Sequence, residues 1–182
     1  SFGRFTIRKF RKNVCAMKRL AARDFEDILQ CALPVFESVP WPERRHRQVI
    51  LDMLFELANW HALAKLRVHT DDTLHFLEAA TVSLGNTLRK FRADVCPHYD
   101  TRELPLETAA RGRRAVTRLV TQAASSGGQT SSANVPSKSL RKELNLVIYK
   151  FHSLGDYVKT IKEHGTTDNF TSQGVSGALF SF

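Results

Sequence analysis

Between Leu74 and Val95 the apolar positions fall at Leu74, Leu77, Leu84, Leu88, Phe91 and Val95, with Thr81 in register, at alternating steps of three and four. A stripe of that period over three heptads suits only a helix that buries one face, and it predicts the seam of an antiparallel pair or small bundle. Thr70-Asp71-Asp72 supplies the helix start by side-chain capping, and Cys96-Pro97 ends it. Gly85 lies inside the stripe at a cost of about 1 kcal/mol relative to alanine, which is consistent with close approach of a neighbour.

Upstream, Asp24 to Val39 reads as a helix with Asp24 as its N-cap and Phe25, Ile28, Leu29, Ala32 and Leu33 as its apolar positions. Pro34 predicts a kink or break near Leu33, and Pro40-Trp41-Pro42 separates this element from the next. The second helix is expected from Glu43 to His69, with Pro42 in its first turn and Ile50, Met53, Leu54, Leu57, Trp60, Ala64 and Val68 facing inward. Phe55, Ala58, Leu63 and Leu66 widen that face, so this helix should be central. Downstream, Leu106 to Ala124 reads as a weaker helix interrupted by Gly112. Residues 123–139 are rich in Ser and Gly and read as a flexible linker. Leu144 to Tyr149 suits a short strand or extended segment, and Ser153 to His164 a short helix closed by Gly165.

The expected architecture is therefore mostly α: a small helical bundle built around a long antiparallel helical hairpin, with a flexible linker and a short carboxy-terminal helical segment. Its expected divisions are a basic segment at 1–23, the bundle at 24–122, the linker at 123–139 and a strand/helix segment and tail at 140–182.

Charge is distributed unevenly over the 182 residues, whose net formal charge is +9. Residues 1–23 hold eight cations and no acid, while Asp24 to Thr101 hold eight cations against twelve acids. Arg102 to Ser137 carry five arginines against two glutamates, and the remainder six cations against four acids. A slightly acidic body with basic flanks is the pattern of a folded core carrying polyanion-facing arms; the plainer reading is solvated helix surface. Phe2, Phe5 and Phe10 interleave with Arg4, Arg8, Lys9, Arg11 and Lys12, which allows stacking together with charge contact. If six such cations met duplex phosphates, the log–log salt slope of binding would be about −5. The candidate DNA-binding residues are Arg4, Arg8, Lys9, Arg11, Lys12, Lys18 and Arg19 of the amino-terminal segment, with Arg113 and Arg114 of the second basic stretch. Docking of Phe5, Ile7 and Phe10 on a neighbouring domain is the competing reading of that segment.

Other chemistries find little support. No apolar run approaches the roughly 18–20 residues that cross a bilayer, and no signal peptide is legible, so an intracellular, soluble protein without membrane contact is expected. The three cysteines, Cys15, Cys31 and Cys96, are odd in number and widely spaced, against a disulfide scaffold. Cys96 and His98 form one close ligand-type pair without a second. His61 and His69 lie about 12 Å apart along a helix axis, too far to share an ion. No metal, cofactor or small-molecule substrate is expected. His61, beside Trp60, reads as a hydrogen-bonded core residue. There is no Gly-x-Ser-x-Gly elbow and no phosphate-cradling loop, since Gly127-Gly128 lacks the lysine and following helix of a P-loop. The chain is not expected to be an enzyme.

Three phrases carry a resemblance: LAARDFEDILQCALPVFE at 20–37, LANWHALAKLRVHT at 57–70 and LGDYVKTI at 154–161. The chain resembles, from about residue 5 to Ser172, the carboxy-terminal region of Plavaka-type transposon-encoded proteins of basidiomycete fungi, allied to the Kyakuja–Dileera–Zisupton group. The resemblance implies nuclear localisation and a transposase core of RNase H type lying upstream of Ser1, with divalent-ion-binding acids that no segment here matches. The absent initial Met and the apolar Gly174-to-Phe182 ending suggest a fragment or a decayed copy. The expected function is a non-catalytic accessory region contacting DNA through basic flanks; the alternative is a helical interaction or self-association module, with an upstream core or a second copy as partner.

Overall fold

The computed structural model describes residues 7, 10, 13, 14, 21–126 and 138–167, with side chains of 122–126 excepted. The amino-terminal candidates from Arg4 to Arg19, the centre of the expected linker and the apolar tail lie outside them. The described residues are mostly helical, and they pack as two units, one built from residues up to 95 and from 145 onward, the other from 96–144. This grouping separates the Leu106 helix from those before it, where the sequence reading placed 24–122 in one bundle. The break falls at Cys96-Pro97, where the α-helical ladder stops.

In the first unit, α1 spans Ala22–Ser38, α2 Arg44–Ala64 and α3 Asp71–Asp94. Helix α1 starts earlier than expected. Ala21 is its N-cap, and Asp24, three positions in, accepts the Ala21 N–H at 2.7 Å through its carboxylate. An acid in the first turn thus caps from within the helix instead of preceding it. Pro34 does not break α1, which continues to Ser38. Pro34 is exposed, and the terminal carbonyls find side-chain donors: Ser38 Oγ donates to Val35 O at 2.8 Å and Trp41 Nε1 to Phe36 O at 2.8 Å. The Trp41 ring also stacks on Phe36 at 6.0 Å, so the Pro-Trp-Pro connector folds back onto the helix end.

Glu43 is the N-cap of α2, which leaves Pro42 outside the helix. The helix stops at Ala64, well short of His69. Lys65 N–H bonds back to His61 O, and Thr70 is already extended because it caps α3, accepting from Thr73 N at 3.3 Å while its own N–H donates to Thr73 Oγ1 at 2.8 Å. Residues 65–70 are consumed in reversing the chain, and Val68, expected on the inner face, is 76% exposed. Phe55 is also exposed, so α2 is not apolar all round, although it does lie between α1 and α3.

Helices α2 and α3 form the antiparallel hairpin. Arg45, in the first turn of α2, pairs with Asp94 at the end of α3 at 3.1 Å, and nearer the connection Trp60 Nε1 donates to Thr81 Oγ1 at 2.8 Å. Leu77 and Leu84 are fully buried and Val95 nearly so. The stripe is therefore the internal seam of the chain. Gly85 does not serve a close approach: a Cβ there would meet only the Arg89 guanidinium, at 3.4 Å.

The carboxy-terminal segment completes this core. No strand occurs at 144–149 among the described residues; Val147 N–H turns back to Asn145 Oδ1 at 2.8 Å, and α5 begins at once over Tyr149–His152. A 3-10 turn, Ser153–Asp156, leads into α6, Tyr157–His164, which Gly165 closes at φ 86° with its N–H on Ile161 O. Ile161 joins Trp60, Ala64, Leu74, Leu77, Ala80 and Leu84 in one buried cluster, with Leu154, Tyr157 and Val158 against it. Tyr157 meets the Trp60 ring edge-on at 4.8 Å, and Thr167 Oγ1 donates to the Ala64 carbonyl at 3.0 Å. The segment is thus a wall of the bundle.

The second unit begins with a 3-10 turn, Cys96–His98, and contains α4, Pro105–Ser126. Pro105 occupies the first helical position, where a missing N–H costs nothing, and Leu104 N–H donates to Glu107 Oε2 at 3.0 Å. Gly112 is buried within the helix without interrupting it. Two features correct the expected linker at 123–139: its first residues belong to α4, and its last are tethered, with Ser139 Oγ donating to Glu103 O at 2.9 Å. An isolated antiparallel bridge, Arg102 with Arg141, returns the chain beside the start of α4. No helix among the described residues is long and apolar enough to cross a membrane.

Candidate nucleic-acid interface

Of the nine candidate residues, Arg113 and Arg114 are the two described, and both are exposed on α4. What fixes that helix is Glu103. Its carboxylate is nearly buried and takes a forked contact from Arg111, at 3.1 Å from Nε and 2.9 Å from Nη2. The same carboxylate accepts from Thr108 Oγ1 and Leu140 N, while Arg111 Nη2 also donates to Lys138 O at 2.7 Å. The hydrogen bond from Arg111 is the largest cause holding the Glu103 carboxyl below its usual range, with burial opposing. One arginine of the second basic stretch is thus spent on architecture.

The next arginines are not. Arg113, Arg114 and Arg118 are exposed and have no acidic partner among the described residues. Several cations elsewhere meet acids, Arg45 with Asp94, Arg47 with Glu37, Lys65 with Glu26 at 2.7 Å and Arg102 with Asp100, while others such as Arg44, Lys90 and Arg92 are likewise exposed with no acidic partner among the described residues. At 100° per residue Arg114 and Arg118 share one face of α4, whereas Arg113 stands about 100° round from Arg114 and about 140° from Arg118, towards Val120. Arg118 was not among the sequence candidates. The signal was available, since a residue four positions beyond Arg114 on a helix must return to its face.

Neither His61 nor His69 belongs to this surface. His61 is half-buried at the α1–α2 contact, its Nε2 3.8 Å from Glu26 Oε1, and the same oxygen is held by Lys65. Burial is the largest cause of its lowered pKa; Glu26 opposes and Lys65 adds to it. The core residue here is its neighbour Trp60, and His61 sits in a charged cluster at the rim. His69 lies in the hairpin connection with Nδ1 3.3 Å from Thr73 Oγ1. Sequence reasoning also missed two buried polar residues, Asp27 on α1 and His46 on α2, the latter with Nε2 3.4 Å from Glu43.

No protein-family model, curated protein or solved structure matches the chain. The chemistry of the surface is that of exposed, permanently charged guanidinium groups, which suit phosphate oxygens as bidentate donors.

Proposed function

We propose that the chain is a non-catalytic accessory region of a transposase-derived protein that contacts duplex DNA through its basic flanks, in the nucleus. The observation that carries this reading is the contrast between Arg111, neutralised by Glu103, and Arg113 and Arg114, which stand exposed on the same helix without an acid. The amino-terminal run of eight cations without an acid, and the resemblance of the three sequence phrases, support it further. Phosphate contact needs no pocket and no general acid or base, only cations held at a surface. An electrophoretic shift or anisotropy titration on the full chain and on a version lacking residues 1–23 tests the reading. Binding that weakens with salt and is reduced by the truncation supports it, and absent binding in both rejects it.

The second reading is a protein-interaction module. One observation favours it: Val116, Leu119 and Val120 form an exposed aliphatic strip on the side of α4 away from Arg114 and Arg118. The α3 stripe no longer argues for self-association, because it is buried within the chain. Light scattering across concentration separates the two readings.

A further inference from the structure

Arg114 and Arg118 lie one turn apart, about 6 Å along the axis, and side by side on the exposed face of α4. Two like charges at that spacing repel and weaken a helix. The cost could have been relieved by an acid, as Glu103 relieves Arg111 three residues earlier. The acid nearest in projection, Glu107, lies about 10 Å from Arg114 along the axis and is engaged with the Leu104 N–H. An uncompensated arginine pair on a helix whose base is otherwise fastened by hydrogen bonds is complementary to a row of anions.

We infer that Arg114 and Arg118 form a phosphate-contacting face for duplex DNA, so that Arg118 is a binding residue and Arg111 is not. The inference rests on the DNA reading above and goes beyond it by placing one contact surface on α4, separate from the amino-terminal segment. The aliphatic strip of Val116, Leu119 and Val120 points elsewhere and stays free when the arginine face is occupied.

The test is fluorescence anisotropy of the full chain with a labelled 20-base-pair duplex, titrated at several salt concentrations. The combined variant Arg114→Gln, Arg118→Gln should bind more weakly, with a log–log salt slope shallower by about 2. Its Tm should equal or exceed that of the parent, because a repulsive pair has been removed. A matched variant, Arg45→Gln, Lys159→Gln, removes the same charge from cations that already have acidic partners, Asp94 and Glu163. It should leave the slope unchanged. Equal loss of slope in both variants would reduce the effect to net charge and overturn the inference. An unchanged slope in the α4 variant, with a steep parent slope, would overturn it while leaving the DNA reading standing. No binding by the parent at low salt would overturn both. Competition by polyglutamate as effective as that by unlabelled duplex would also overturn the assignment to DNA.

Discussion

Thr81 occupies a seam position that leucine fills at Leu77 and Leu84, and its hydroxyl is what Trp60 requires. A buried indole N–H without an acceptor would cost about 1–3 kcal/mol; here Nε1 donates to Thr81 Oγ1, which in turn donates to Leu77 O. Thr81→Val should therefore destabilise by about 1–2 kcal/mol despite its added hydrophobicity, and the double variant with Trp60→Phe should cost less than the sum of the two singles in chemical denaturation. Gly85→Ala should act the other way. The new methyl would meet only a flexible guanidinium, so a gain of about 1 kcal/mol from helix propensity is expected. Titration adds a third residue-scale expectation. The His61 pKa is lowered from 6.5 by burial, so the folded state takes up that proton less readily than the unfolded chain. Stability of the first unit should decline as pH falls below about 6.5, and His61→Gln should flatten that decline in pH-dependent melting. Glu103, also lowered, stabilises the second unit above its unfolded pKa, and that contribution should fade as pH drops through 4.5 and below.

Among the elements, α3 was the most legible, because a 3-4 stripe over twenty residues has few other physical uses. Its partner α2 could be placed but not ended, since Lys65 to His69 continue an apolar pattern while their backbone is committed to the reversal and the Thr70 cap. Asp24 was recognised as a helix-start residue but assigned to the wrong side of the boundary, as first-turn acids and N-cap acids look alike in one sequence. The place of α6 was not legible. Eight residues are too few for a decisive period, and the partners of Ile161 and Tyr157 lie on α2 and α3, far away in the chain. Ile161→Ala should cost about 2–4 kcal/mol, measured by urea denaturation, whereas a peripheral appendage would lose almost nothing. On α4, Arg113 and Arg114 are candidates as cations of the second basic stretch, but separating Arg111 from Arg118 needs the position of Glu103, which no spacing reveals.

At the scale of the whole molecule, charge divides along the chain as stability does not. The acidic body from Asp24 to Thr101 contains α2 and α3, which form the buried cluster together with Ile161 of α6, while the cations in excess lie before and after that body. Burial there stabilises without needing charge, and the surplus arginines are left to the solvent, where a polyanion can displace their counterions. The most direct test is the salt dependence of duplex binding by the intact chain. With the amino-terminal cations and the α4 arginines both in contact, the log–log slope should fall between about −5 and −8. A slope near zero, or no complex in low salt, would contradict the account.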